Sequence, residues 1–387
     1  MTADPHRHEL LARAFQNRFG RPPELWCRAP GRVDLMGSHT DYNLGAVLTL
    51  PIGRDTWIAA RPNLTNTVNL HSLNLRADAS FSLDSDERNA DQPWVDYVHG
   101  VAVMLREVGL PPVGFDGVVH STVPLSSGLS SSAALECAAA TVFEALGGWH
   151  LDPLQKALLC QRAENRFVGV NCGILDQFTS CMGREGCALL LDCRDLSSQA
   201  VAIAAGIRIV ICDTKSKREL AGSEYGERRA QCEEGAGLLG ASALREVTSA
   251  TFQAREHELP PLVAKRCRFI IGEHERVYAL AEALTTADRA AIRQLTAASF
   301  DGACHLYEIA APAMLAMMDA MLAAPGVIGA RQAGAGFGGC MVAFVEESLA
   351  DAFATATGNH YAAATGITPE IYQASAAEGA GLIEEFR

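Results

Sequence analysis

The chain has no uninterrupted run of 18 apolar residues, no C-x-x-C pair among its twelve cysteines, no G-x-x-x-x-G-K-[ST] element and no surplus of positive charge. Each absence removes a class of function. Without the long apolar run no membrane span is expected, and Met1 to His8 lacks the apolar stretch of a signal peptide. Lys and Arg number 32 against 45 Asp and Glu, a net charge of −13, so a nucleic-acid surface is not expected. A local basic patch for a small anion remains compatible with that balance. The cysteines sit singly in apolar surroundings, as Cys160 does after Ala157-Leu158-Leu159 and Cys212 after Ile209-Val210-Ile211. Such residues read as small buried hydrophobes kept reduced, which implies a cytoplasmic setting. Cys181, Cys187 and Cys193 are evenly spaced, but too widely for a zinc site. The missing Walker element excludes a P-loop nucleotide site.

What is present is an ordinary globular composition, 387 residues with 49 % hydrophobic and 20 % charged content. That length suggests two domains, with a soft boundary near Ala204-Ala205-Gly206 dividing residues 1–205 from 206–387. Periodicity predicts helices over about 94–108, 130–146, 154–168, 223–239, 275–286, 288–299, 306–323 and 347–356. Strands are expected at Ala46–Ile52, Phe115–Ser121, Ala188–Asp192, Ile207–Ile211, Arg268–Ile271, Met341–Val345 and Glu370–Gln373. Helices and strands mixed without strict βαβ regularity imply an α+β fold rather than a Rossmann sheet.

Four stretches carry candidate chemistry. Gly31-Arg32-Val33-Asp34-Leu35-Met36-Gly37-Ser38-His39-Thr40-Asp41-Tyr42-Asn43 reads as a polar turn beside a buried strand, suited to a small hydroxylated ligand. Val123 to Ala134, with Ser126-Ser127-Gly128-Leu129-Ser130-Ser131-Ser132, joins a strand to a helix start, where free N–H groups and the helix dipole favour phosphate. A serine there is also a potential Mg²⁺ ligand, although a Ser-rich helix cap accounts for the same residues. Gly334-Ala335-Gly336-Phe337-Gly338-Gly339 is a second Gly-rich turn before a strand. Ala163 to Phe178 carries Glu164 on a helix and Asp176 beyond a Gly-containing turn; taken alone, the pair reads more simply as two solvated acids near helix ends.

Taken together and in order, these stretches resemble the galactokinase branch of the GHMP sugar kinases, a likeness that runs from about residue 20 to 345. It includes Gln92-Pro93-Trp94-Val95-Asp96-Tyr97-Val98-His99-Gly100 and Gly222 to Cys232. The resemblance implies a two-domain fold with a cleft that takes ATP, Mg²⁺ and a sugar. Asp176 then resembles the acid facing the anomeric hydroxyl and Arg32 its partner cation. Ser132 and Glu164 resemble the Mg²⁺ ligands, and Ser126 to Ser132 with Gly336 the nucleotide site. Ser38, His39, Asp41, Gly173 and Tyr225 resemble the groups around the sugar. The implied activity is transfer of the ATP γ-phosphoryl group to the anomeric hydroxyl of D-galactose by a monomer.

The chain departs from that pattern in places. Ser38 stands where the branch usually carries Glu, typically a contact of the galactose C6 hydroxyl, and Asp34 stands where Asn is usual. Losing a charge at position 38 would tolerate the C6 carboxylate of D-galacturonate, and losing bulk would suit L-arabinose. Ser126-Ser127 and Ala335 replace glycines common in the branch, and Ser299 to Glu308 lacks its usual elements. A non-catalytic relative that senses sugar and ATP is a further alternative.

Overall fold

The computed structural model describes residues 4–125, 127–216 and 221–384. Two antiparallel-rich sheets carry helices on their faces, an α+β arrangement. The strands are β1 (Leu25–Met36), β2 (Ala46–Pro62), β3 (Thr67–Ser72), β4 (Ala77–Ser82), β5 (Phe115–Ser121), β6 (Cys187–Asp192), β7 (Ser198–Ala202), β8 (Ile207–Asp213), β9 (Val327–Gln332), β10 (Cys340–Glu346), β11 (Glu370–Ala374) and β12 (Gly381–Leu382). The helices are α1 (Pro5–Phe19), α2 (Asp96–Glu107), α3 (Ser131–Gly147), α4 (Pro153–Arg162), α5 (Leu175–Met182), α6 (Ala221–Leu238), α7 (Ser249–Arg255), α8 (Pro261–Thr286), α9 (Arg289–His305), α10 (Pro312–Leu322) and α11 (Ala350–Thr365).

The first sheet runs β12-β1-β2-β5-β3-β4, with β6 and β7 added at the start of β2. Long β2 forks: Ala46 to Thr49 pair with β6, whereas Thr56 to Pro62 pair with β5. The second sheet runs β11-β8-β10-β9. The sheets change over between Ala202 and Ile207, but the chain's end crosses back, since β12 pairs with Cys27 and Arg28 of β1. A hydrophobic cluster joins the halves, with Val33, Leu35, Leu48 and Leu50 of the first sheet meeting Ile209, Ile211, Val342 and Phe344 of the second.

Two expectations are corrected. Arg32 and Asp34 lie not on a turn but on β1, where alternate side chains share a face. Only Gly37 to Asn43 form the turn. Polar side chains disguised the strand because one of its faces looks onto the cleft. The second concerns Arg268-Phe269-Ile270-Ile271, which lies inside α8 rather than in a strand. Phe269, Ile270 and Ile271 are all buried there in one apolar cluster, Phe269 stacking on Tyr307. Short β-rich runs are easily misread when the helix is buried on most sides.

Helix α1 is seated on the sheet by charge as well as by apolar packing. Arg7 donates from Nη1 to Asp55 Oδ1 (2.5 Å), while Arg28 Nε (2.8 Å) and Trp57 Nε1 (3.0 Å) both donate to Asp55 Oδ2. Removing this carboxylate leaves two buried guanidinium groups without their counter-ion. Asp55→Ala is expected to destabilise the protein by about 3–5 kcal/mol. Chemical denaturation would show this as a lower midpoint at unchanged slope.

Candidate active site

The site lies where β1, the turn after it, the loop into α3 and the start of α5 converge on a cavity of about 610 Å³. Gly31 makes the closest approach possible. A Cβ there would come within 2.6 Å of the Leu129 carbonyl oxygen, so only glycine lets the loop lie against the strand. Arg32 N–H then donates to that carbonyl at 3.1 Å. The Arg32 side chain reaches further into the same loop, donating from Nη1 to the Gly128 carbonyl at 2.6 Å.

The same guanidinium holds Asp176. Nε (2.8 Å) and Nη2 (2.5 Å) both donate to Oδ1, which leaves Oδ2 without an arginine contact. Asp176 lies in the first turn of α5, and its side chain is about a quarter exposed, whereas that of Arg32 is 10 % exposed. An arginine buried in this way fixes one carboxylate oxygen and offers the other to a ligand.

Beside Asp176 lies a group of buried acids. Glu164 sits in a π-helical turn over residues 163–168, whose widened geometry lets its carbonyl accept from both Gly169 N–H (2.9 Å) and Val170 N–H (3.1 Å). Gln177 Nε2 bridges Glu164 Oε2 (2.5 Å) and Glu136 Oε2 (2.9 Å). Burial, and then the neighbouring Asp176 charge, raise the Glu164 carboxyl above its usual range, and the Ser132 hydroxyl opposes that shift. Glu136 is raised by burial and then by Glu164.

In the serine-rich loop before α3, Ser130, Ser131, Ser132 and Gly128 line the cavity. Ser130 takes the left-handed conformation (φ 63°), and its buried Oγ has no hydrogen-bond partner among the described residues. Leu129 instead enters the apolar core, and Ser127 Oγ donates to the Pro124 carbonyl at 2.9 Å. Ser126 lies outside the described residues. Gly336 packs against Ile309, so it is Gly334 and Ala335 that line the cavity from this turn.

Ser38, His39, Asp41, Gly173 and Tyr225 all line the cavity. A Cβ on Gly173 would fall 2.1 Å from Asp41 Oδ2, so the two segments touch directly. His39 differs from expectation, because both ring nitrogens are already engaged. One contacts Tyr42 Oη and the other the Ala335 carbonyl, each at 2.8 Å. The carbonyl can only accept, so Nε2 carries the proton and Nδ1 accepts from Tyr42. Burial lowers the His39 pKa to about 4, and its role is to tie the turn to the Gly-rich segment. Tyr225 is raised above its usual range by burial and then by Asp41, so its phenol stays a neutral donor.

Asp34, noted in the sequence only as a departure from the branch's pattern, lines the cavity two positions from Arg32 on one face of β1, and Arg229, not singled out, follows Tyr225 by four on α6, so both spacings were available as signals. A smaller, mostly apolar cavity of about 150 Å³ opens beside Ser131 and Ser132, lined among others by Leu75, Trp94, Tyr97 and Leu135. Trp94 and Tyr97 belong to the 92–100 block, which carried part of the sequence likeness.

Burial, then Asp176 and Asp34, push the Asp41 carboxyl up to about 6. Above that pH it is an ionised acceptor, and as pH falls through about 6 it gains a proton. kcat/KM for the substrate taken up in this cavity is therefore expected to fall along an acid limb near pH 6, because this parameter reports the free enzyme. In Asp41→Asn that limb should vanish. A pH–rate profile of both proteins checks this, and a flat wild-type profile down to pH 5 would contradict it.

Comparison with known proteins identifies the family. Residues 13–62 match the family pattern described as galactokinase galactose-binding signature, residues 96–184 the GHMP kinases N terminal domain, and residues 280–363 the GHMP kinases C terminal domain. A galactokinase of Chloroflexus aggregans is 41 % identical over 375 residues, 96 % of each chain. One from Chloroflexus aurantiacus is 43 % identical over 361 residues, 92 % of this chain and 93 % of that one. The crystal structure of Lactococcus lactis galactokinase complexed with galactose superposes with a TM-score of 0.91 at 32 % identity, covering 96 % of this chain and 98 % of that one. A mevalonate kinase structure, at TM-score 0.64 and 15 % identity, shares the fold. The chain belongs to the GHMP kinase family, in its galactokinase branch.

Proposed function

We propose that this chain transfers the γ-phosphoryl group of ATP to the anomeric hydroxyl of D-galactose, forming the sugar 1-phosphate and ADP. The observation that carries this reading is the Arg32 guanidinium, which bonds at once to Asp176 and to the Gly128 carbonyl of the phosphate loop. Phosphoryl transfer depends mainly on alignment and charge, so a single rigid group between acceptor site and phosphate site suits it well.

In this reading Asp176 Oδ2 accepts the hydrogen of the anomeric hydroxyl and aims its oxygen at the γ-phosphorus. Asp41 accepts, and the Tyr225 phenol donates, to hydroxyls around the ring. Ser38, His39 and Gly173 shape the remaining wall. The triphosphate lies along Ser127 to Ser132, with the unpartnered Ser130 Oγ donating to a phosphate oxygen. The adenine enters the apolar cavity beside Trp94, Tyr97 and Leu135, which adjoins Ser131 and Ser132.

A divalent cation fits beside these residues on two grounds. Ser132 and Glu164 offer hard oxygen donors, and Glu136, Glu164 and Asp176 stand close enough that Asp176 raises the Glu164 carboxyl and Glu164 that of Glu136, a crowding of acids that a cation would relieve. Ser132 and Glu164 would hold Mg²⁺ together with phosphate oxygens and water. When bound, the ion supplies charge neutralisation for the transferring phosphoryl group. No helix among the described residues is long and apolar enough to cross a membrane. A monomer in the cytoplasm, built of domains 1–205 and 206–387 with the C-terminal strand returning to the first, completes the proposal.

Asp176→Ala should lower kcat on galactose by about 10²–10⁴-fold, and ATP affinity should stay within a few-fold of wild type. ADP release coupled to a chromogenic reaction, with ATP binding followed by calorimetry, measures both. Full turnover in the variant would remove Asp176 from the mechanism. An inactive wild type that still binds ATP would favour the sensor alternative.

A further inference from the structure

Behind the turn that carries Ser38, His39 and Asp41 runs a chain of hydrogen bonds that the transfer reaction does not itself use. His39 Nδ1 meets Tyr42 Oη at 2.8 Å, Tyr42 Oη meets Tyr307 Oη at 2.7 Å, and Tyr307 Oη meets Cys232 Sγ at 3.2 Å. Tyr307 and Cys232 are fully buried, and neither Tyr42 nor Tyr307 is among the described residues that line the cavity. Phe269 of α8 stacks on the Tyr307 ring, with centroids 4.7 Å apart, and Arg228 of α6 donates to the Tyr307 carbonyl at 2.8 Å. The chain thus runs from a cavity wall to an anchor fixed in the second half.

Each member has one hydrogen to give, so the direction of the whole chain follows from one end. The Ala335 carbonyl can only accept, which places the His39 proton on Nε2 and leaves Nδ1 to accept from Tyr42. With its hydrogen spent on His39, Tyr42 Oη can only accept from Tyr307. Tyr307 Oη in turn accepts from the Cys232 thiol. Burial raises both phenols well above their ordinary range and pushes the thiol up to about 11, so all three groups keep the hydrogens this order requires. Phenylalanine at either position would pack as well in this apolar cluster without hydroxyls to satisfy, so the hydroxyls point to a requirement beyond packing.

The near end of the chain lies against groups that line the cavity. Asp41 and Tyr42 are consecutive in the short helical turn Asp41–Asn43, so pinning the Tyr42 hydroxyl fixes the Asp41 carboxylate at the cavity wall. The Tyr225 ring lies 5.3 Å from that of His39 and 5.4 Å, edge-on, from that of Tyr42, so the same pin sets the surface against which Tyr225 packs. Arg32 and Asp176 take their positions from β1 and α5 instead. The two remote tyrosines can therefore change how tightly a sugar is held without moving the reacting pair.

We propose that Tyr42 and Tyr307 are positioning residues for sugar binding, and that their one-way hydrogen-bond chain holds Asp41 and Tyr225 in the geometry that receives the ring hydroxyls. The inference rests on the sugar-kinase reading above and adds residues outside the cavity on which that binding depends. The dependence is graded, because each bond orients the next. Loss of the Tyr42 hydroxyl strips His39 Nδ1 of its donor directly. Loss of the Tyr307 hydroxyl only frees Tyr42 to turn, and loss of the Cys232 thiol leaves both Tyr42 bonds in place.

Steady-state kinetics with D-galactose and ATP, together with nitrogen NMR of the imidazole rings, test this. In wild type at neutral pH the His39 signal, assigned by its loss in His39→Gln, should show the proton on Nε2 and a hydrogen-bonded Nδ1. Tyr42→Phe should shift Nδ1 toward an imine nitrogen without a hydrogen bond. It should also raise KM for galactose about tenfold, with kcat and KM for ATP within about threefold of wild type. Tyr307→Phe should raise KM for galactose about threefold, and Cys232→Ala by less. A proton on Nδ1 in wild type overturns the proposal without any variant having to fold. An unchanged KM for galactose in Tyr307→Phe, or in a folded Tyr42→Phe, overturns it too, as does a loss confined to kcat. A wild type that transfers no phosphate to galactose would remove the kinase reading, and this inference with it, whereas normal turnover with an unmoved KM in the variants removes the role of the tyrosines alone.

Discussion

One guanidinium organises this protein's cleft. Arg32 projects from β1, holds Oδ1 of Asp176 with two nitrogens and the Gly128 carbonyl with the third, and takes its orientation from a strand paired with β2 on one side and bonded through its own N–H to the Leu129 carbonyl on the other. Asp176, the acid proposed to face the acceptor, and the serine loop, proposed to face the phosphates, are thereby referenced to the same rigid element. Neither could drift by an ångström without breaking a charge-assisted bond. Gly31 is the backbone condition for this arrangement, since any side chain there would push the loop off the strand.

The second requirement is that the two halves keep their relation across the cleft. A hydrophobic seam provides the bulk of it, and a buried polar network provides the register. Glu273 of α8 accepts from Arg331 of β9, from Ser299 of α9 (3.0 Å) and from the Gly37 N–H (3.2 Å) of the first half. Burial works against its charge, yet Arg331, Arg276 and Ser299 together hold the Glu273 carboxyl below its usual range. The turn that carries Ser38 and His39 is fastened to the second half by this network on one side. On the other it is fastened by the His39 bond to Ala335. Residues that look like ligand contacts in sequence thus also serve as fasteners between the halves.

Much of this was legible in the residues. Helix α3 behind the serine loop, the paired acids Glu164 and Asp176, and the α+β pattern followed from caps, glycines and periodicity. Three features escaped for physical reasons. The polar face of β1 hid a strand, because the usual sign of a strand is an apolar face and this one borders a cavity. The engagement of both His39 nitrogens depends on residues distant in sequence, Ala335 above all, and no local pattern encodes it. Most instructive is the pair at 34 and 38. Read singly, Ser38 suggested a lost charge, and Asp34 an unrelated substitution. Four residues apart, across the bend from β1 into the turn, they share a hydrogen bond, a pairing that neither residue announces alone.

The account stands most directly on where the acceptor oxygen lies relative to Asp176. A crystal structure of the protein with D-galactose and a non-hydrolysable ATP analogue measures that distance. The account requires the anomeric oxygen at about 2.6–3.2 Å from Asp176 Oδ2, with Arg32 still on Oδ1 and the terminal phosphate beside the serine loop. A sugar bound with its anomeric oxygen turned away from Asp176, or an Arg32 released from it, would contradict the account.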